Sequence, residues 1–295
     1  MAISLGINPI TWSNDDLQYV GANISLESCL SDTAAAGFSG IELGHKFPRD
    51  AKVLKPVLDK HGLALVSGWY SGRLLERDAG EEAVAMESHA TLLAAMGCDV
   101  LIFAEVTGCI HSDITARLSQ RPKIAAKDWK QFGRRMSAVA KVVAGYGLKL
   151  CYHHHMGTVV QSDTDIDALM QETSDDVFLL LDTGHAYFAG ADPVRLAQQY
   201  SARIGHLHCK DVRSGPMQRC INRDGSFLDA VLDGAFTVPG DGCIDYAGIF
   251  ATLRGYSGWA VVEAEQDPSV APPAQYAQLG YDNLRALIGS ENDVV

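Results

Sequence analysis

The chain lacks any run approaching the roughly 18 unbroken apolar residues that a membrane span requires, so a helical integral membrane protein is excluded. No CxxC pair occurs, and the seven cysteines follow no regular spacing. That pattern supports neither a disulfide framework nor a zinc knuckle, and the cysteines are expected to be reduced and mostly buried. No GxGxxG follows the first apolar run and no GxxxxGK[ST] occurs anywhere, which removes the main support for a nucleotide cofactor. Basic residues are scarce and scattered, 24 against 36 acidic, and the net charge of −12 would repel a phosphate backbone. Nucleic acid is therefore not an expected partner. The N-terminus opens on a strand rather than on a basic and then apolar leader, so no membrane association and a cytoplasmic location are expected.

What is present is an ordinary globular composition, 47% hydrophobic and 20% charged, spread over a length that α/β barrels reach as one domain. Short β-type runs fall at 3–10, 40–43, 64–70, 100–105, 149–153, 177–182, 204–209 and 259–263. Amphipathic stretches such as 25–36, 81–96, 129–146 and 246–254 lie between them, and several end at a glycine placed as a C-cap. Eight strand-then-helix units favour a closed (β/α)8 TIM barrel, a single domain over 1–295, over an open doubly wound sheet. One segment, about 212–242, reads as an irregular loop after the seventh strand. Long loops at that face commonly act as lids or shape a pocket.

Three strand ends carry the chemistry: Asp182-Thr-Gly-His185, His206-Leu-His-Cys-Lys-Asp211 and Val261-Val-Glu-Ala-Glu265. Side chains alternate faces along a strand, so His206, His208 and Lys210 share one face and Glu263 and Glu265 another. A lone histidine or aspartate at a strand end is more often a hydrogen-bonded structural group. Three such ends on consecutive strands favour a mixed nitrogen and oxygen metal site, suited to Mn²⁺, Co²⁺, Zn²⁺ or Fe²⁺ better than to Mg²⁺. The fifth strand adds Cys151-Tyr-His-His-His155, with His153 and His155 on one face and His154 on the other. That cluster is expected to give one ligand and one proton-transfer group.

These residues, together with Gly255-Tyr-Ser-Gly-Trp-Ala-Val-Val-Glu263, resemble the sugar isomerase and epimerase barrels related to xylose isomerase and the apurinic endonucleases, over essentially the whole chain. Two further runs, Ala189-Gly-Ala-Asp-Pro193 and Ser226-Phe-Leu-Asp-Ala-Val-Leu-Asp-Gly-Ala-Phe-Thr-Val-Pro-Gly-Asp-Gly242, look like the inosose dehydratases of inositol catabolism. The superfamily's usual ligands are a Glu, an Asp, a His and a Glu on strands five to eight. Matched here they fall on Asp182, His208 and Glu263, while His153 stands at the Glu position, and either His153 or His155 completes the set. The resemblance implies a Mn²⁺- or Co²⁺-assisted hydro-lyase that takes a small polyol ketone, 2-keto-myo-inositol, to a trihydroxycyclohexane-dione. It also associates glutathione with the activity, although no feature of the sequence derives a glutathione site, and it leaves room for a homo-oligomer.

Removing water from a ring ketone requires abstraction of an α-proton, stabilisation of an enolate and protonation of the leaving hydroxyl. His155, His185, Lys210 and Glu265 are the expected acids and bases. Glu42, Trp69, Tyr70 and Arg213 are the expected substrate contacts, against the blander readings of an ion pair for Glu42 and of core filling for the aromatic residues. Isomerisation or epimerisation of a keto-sugar needs the same groups and is the alternative. Cleavage of abasic DNA would need a basic face, which the charge argues against, and a catalytically dead polyol-binding barrel would retain no metal.

Overall fold

The computed structural model describes residues 3–292; residues 1–2 and 293–295 of the expected 1–295 domain lie outside the described residues. Strands β1 (Ile3–Ile7), β2 (Gly40–Leu43), β3 (Ala64–Gly72), β4 (Val100–Glu105), β5 (Lys149–His153), β6 (Val177–Asp182) and β7 (Ile204–Cys209) run parallel. After two short strands, β8 (Asp211–Val212) and β9 (Phe236–Thr237), the last strand β10 (Gly258–Val262) pairs with both β7 and β1 and closes the barrel. The (β/α)8 expectation holds. No helix among the described residues is long and apolar enough to cross a membrane.

Local signals in the sequence set the helix ends. Ser25 caps the helix Leu26–Ala36 by accepting the Ser28 N–H at 3.0 Å, and Gly37 ends it at φ 100°. Asp78 and Glu81 form a capping box on Ala79–Ala95. Strand alternation then sorts the core into two regions. Leu101, Phe103, Leu150, Tyr152, Leu179 and Leu181 belong to the large core shared with the helices, whereas Val100, Ile102, Cys151 and Leu180 form a separate cluster with Trp69 and Phe178. The second cluster is an apolar plug inside the barrel, and the next inward positions along the same strands, His153 and Asp182, are polar. Five of the seven cysteines are buried and Cys243 is exposed.

The segment 212–242 is not irregular. It holds the helices Ser214–Asn222 and Phe227–Leu232 and pairs Asp211 with Thr237 and Val212 with Phe236 across the β8–β9 ladder. Its apolar residues, among them Val212, Phe227, Val231 and Phe236, form a small core of their own with Met156 and Phe188. Elements of six and nine residues are too short for a periodicity argument, although the capping box Ser226 and Asp229 was there to be read.

Asp211 pins the far end of this segment. Its carboxylate accepts the N–H groups of Gly240 (3.1 Å), Gly242 (3.1 Å) and Ile244 (3.0 Å). A Cβ on Gly242 would stand 2.2 Å from Asp211 Oδ1, so only glycine lets the backbone come this close. Arg213, expected to contact substrate, instead pairs with Asp241 at 2.5 Å and donates to the Gly234 carbonyl at 2.8 Å. It ties the segment together. Replacing Asp211 by Ala is expected to cost ~1–3 kcal/mol of stability through the stranded N–H groups. Amide exchange at Gly240, Gly242 and Ile244 should accelerate in that variant, and unchanged exchange there would refute the anchoring role.

Candidate active site

The C-terminal ends of β5, β6, β7 and β10 bring His153, Asp182, His208 and Glu263 together. His153 Nε2 lies 3.3 Å from Asp182 Oδ2, and His208 Nδ1 lies 3.6 Å from the same oxygen and 3.1 Å from Glu263 Oε2. Single ligand atoms of His153, Asp182, His185 and Glu263 also fall within 4.8 Å of one another, so His185 stands at the same centre. His155 is turned the other way, its Nε2 3.7 Å from Glu265 Oε1. Between the two strand-five candidates, His153 is the one beside Asp182. His154 packs on the opposite face, where its Nε2 accepts the Asp182 N–H at 3.3 Å.

Lys210 threads through the middle of this group with its side chain fully buried. Its ammonium lies 2.7 Å from Glu265 Oε2, 3.0 Å from Glu263 Oε2, 3.5 Å from Asp182 Oδ2 and 2.8 Å from His185 Nε2. Burial works to deprotonate it, but Asp182, Glu263 and Glu265 outweigh burial and hold it charged. Lys210 is thus a donor, not a free base. In return, and against their own burial, Lys210 and the neighbouring histidines depress the carboxyls of Asp182 and Glu265. At Glu263 burial wins and the carboxyl is raised. Burial, His155 and Lys210 depress His185, so that ring is neutral at pH 7.

A cavity of about 230 Å³ opens over these groups, lined among others by Trp69, Ile102, His155, His208, Glu263 and Glu265. Trp69 faces it, as expected. Tyr70 does not: adjacent strand residues point to opposite faces, and its hydroxyl donates to Glu82 Oε1 at 2.5 Å on the helix side. Glu42 reaches the cavity wall but spends its carboxylate on protein donors, Asn8 Nδ2 at 2.7 Å and Ser67 Oγ at 2.5 Å among them. Two further groups that the sequence reading missed, Asp16 and His111, line the cavity from loops, 3.8 Å apart. Neither sits on a periodic element, so no pattern could single them out.

The donor set fits a divalent cation. His208 Nδ1 is buried without a hydrogen-bond partner, and Glu263 Oε2, though close to both Lys210 and His208, makes no hydrogen bond of proper geometry. Against its own burial, Glu42 and Glu263 raise His208 well above the usual imidazole range, so the three buried carboxylates that face Lys210 draw a second positive charge to this point, the place a divalent ion would take.

Comparison with known proteins agrees with this architecture. The family model described as xylose isomerase-like TIM barrel matches residues 30–287. The chain belongs to that family. Over 97% of its length it is 46% identical to the rhizopine catabolism protein MocC of Rhizobium meliloti, covering 89% of that protein. It is 40% identical to the inosose dehydratase of Geobacillus thermodenitrificans, covering 97% of this chain and 98% of that one. Among solved structures, the IOLI protein with a bound zinc atom superposes with a TM-score of 0.71 at 17% identity, covering 98% of this chain and 99% of that one, and D-psicose 3-epimerase with 0.69 at 15%, covering 97% and 100%. These two show the shared barrel.

Two variants test the site's electrostatics and packing. Burial, opposed by His155, raises the Asp16 carboxyl from 3.8 to about 6. A carboxyl raised on folding favours the protonated form, so its contribution is fully present below pH 4 and is lost as pH rises through about 6. Asp16→Asn should therefore gain stability relative to the parent as pH rises from 4 to 7, by ~1–3 kcal/mol; a flat difference in thermal midpoint would refute it. A Cβ on Gly184 would meet Lys210 Cγ at 2.5 Å and Cδ at 2.7 Å, so Gly184→Ala must push the lysine stem aside. Activity should fall at least about tenfold with little change in fold, measured as kcat beside circular dichroism.

Proposed function

We propose that this barrel is a metal-dependent hydro-lyase that removes water from 2-keto-myo-inositol. The observation that carries the reading is similarity to proteins named inosose dehydratase along nearly the whole of both chains, as at 40% to the Geobacillus protein. The strand-end site supports it, because every group such a dehydration needs lies within a few ångströms.

Asp182, His208, Glu263 and His153 would hold the ion, and two carboxylates with two imidazoles suit Mn²⁺ or Co²⁺. When bound, a divalent ion supplies Lewis-acid polarisation of the ring ketone, which acidifies the neighbouring C–H. The proton then needs an acceptor. His155 Nδ1 lies 2.7 Å from the Met156 carbonyl, which only accepts, so Nδ1 carries the hydrogen and the neutral ring keeps its lone pair on Nε2. That nitrogen faces Glu265 and the cavity, so His155 serves as base with Glu265 stabilising the imidazolium that forms. Lys210, charged and bonded to both Glu265 and His185, lies behind the cavity wall, so the proton for the departing hydroxyl passes from it through Glu265, which lines the cavity. Trp69, whose ring centroid is 5.2 Å from that of His153 and 5.6 Å from that of His155, forms the apolar wall against which the ring seats.

The cavity lining also limits the substrate. Among the described residues it carries Asp15, Asp16, Glu42, Glu263 and Glu265 and neither lysine nor arginine, so an uncharged polyol is accepted and a phosphorylated sugar repelled. Incubation with 2-keto-myo-inositol, followed by diketone absorbance, should show turnover that chelator abolishes and that Mn²⁺ or Co²⁺ restores. Absence of product with both metals would overturn the reading. A hexose phosphate should neither turn over nor compete, and efficient isomerisation of one would favour the isomerase alternative.

A further inference from the structure

Glu42 is the most heavily bonded side chain of the site, and its four partners come from three parts of the barrel. Oε1 is reached by His206 Nε2 at 2.9 Å, His208 Nε2 at 3.1 Å and the Ser67 hydroxyl at 2.5 Å, and Oε2 accepts Asn8 Nδ2 at 2.7 Å. These donors follow β1 or sit on β3 and β7, so the carboxylate, itself on β2, joins strands that are not all neighbours in the sheet. With Oε1 filled by three donors and Oε2 already engaged, the carboxylate is committed chiefly to protein donors.

An ionised carboxylate only accepts, so both imidazoles must carry a hydrogen on Nε2. For His208 this has a direct chemical result. In the neutral ring that a metal requires, the lone pair is confined to Nδ1, the nitrogen that is buried without a hydrogen-bond partner and lies 3.1 Å from Glu263 Oε2 and 3.6 Å from Asp182 Oδ2. We infer that Glu42 is a positioning residue that fixes the ring orientation and tautomer of His208, so that Nδ1 is presented as a ligand to the cation centre. The inference rests on the reading that Asp182, His208 and Glu263 hold a divalent ion. Carboxylates placed behind a ligating histidine in this way orient it and make it more basic, and their loss usually weakens metal binding 10- to 100-fold.

Glu42, His206 and His208 also cluster tightly enough to suggest a second cation centre. The contacts argue otherwise. The Glu42 oxygens are fully engaged in hydrogen bonds, from His206, His208, Ser67 and Asn8, whereas Glu263 Oε2 and His208 Nδ1, at a similar separation, make none.

The test is metal titration of the full chain against a chromophoric chelator, with Co²⁺ and Mn²⁺, for the parent, Glu42→Gln and Glu42→Asp, each checked by circular dichroism and thermal unfolding. The parent should bind one equivalent. Glu42→Gln should bind it about 10- to 100-fold more weakly, with an altered Co²⁺ visible spectrum that a general loosening of the fold would not produce. If Glu42→Gln does not fold, Glu42→Asp, which keeps the charge on a shorter stem, should show the same loss in smaller degree. Unchanged affinity with a raised KM would make Glu42 a substrate contact and overturn the inference. Two equivalents in the parent, one of them lost in the variant, would make Glu42 a ligand and overturn it equally. A parent that binds no divalent ion would bring down the metal reading itself, a result seen before any variant is compared.

Discussion

The mouth of this barrel depends on one buried ammonium. Lys210 is fully enclosed, and an unpaired charge in such a place would cost several kcal/mol. Contacts of 2.7 to 3.5 Å to Glu265, Glu263 and Asp182 offset that cost and work in both directions. Without the lysine, three carboxylates meeting at one point would repel one another and take up protons. With it, Asp182 and Glu265 remain ionised.

Apolar groups flank this cluster from below and from above. Beneath it the barrel is plugged by Val100, Ile102, Cys151 and Leu180. Above it the folded segment after β7 lowers two aromatic rings onto the site. The Phe227 centroid is 5.0 Å from that of His155 and 5.6 Å from that of His185, and Phe236 lies 5.5 Å from His185 with Lys210 Nζ 5.1 Å over its face. The segment is therefore the roof of the site. Its anchors, Asp211 and Arg213, set the position of those rings, and a low local dielectric strengthens the interactions among the charges beneath them.

How much of this could be read beforehand follows from what kind of signal each residue leaves. Strands β2, β4, β5, β6 and β7 begin and end at the expected residues, because short apolar runs bounded by polar strand ends are a strong local pattern. Alternation placed His206, His208 and Lys210 on one face, and the structure agrees. The same rule, applied to Trp69 and Tyr70, should have excluded one of them, since neighbours in a strand cannot both face inward. The partners of Glu42 and Arg213 were out of reach for another reason. A charged residue at a strand end or in a loop announces that it will be paired, but its partners lie 164 and 28 positions away, at His206 and Asp241, and only the folded chain brings them together.

The departure at strand five, His153 where the resemblance expects Glu, is intelligible once charge is counted over the whole cluster. The usual set would bring three carboxylates and one imidazole to the ion. Here Glu265 supplies a third carboxylate just outside that set, and Lys210 lies closest to it, at 2.7 Å, so that pair is nearly neutral by itself. Asp182 and Glu263 are left as the carboxylates facing His153 and His208. Two negative charges with two neutral imidazoles balance a divalent ion. A fourth carboxylate in place of His153 would add charge in a space that holds water poorly, close to Asp182, and would compete for Lys210. On the proposed reading, the histidine is therefore what allows a charged lysine and a metal ion to share one small site.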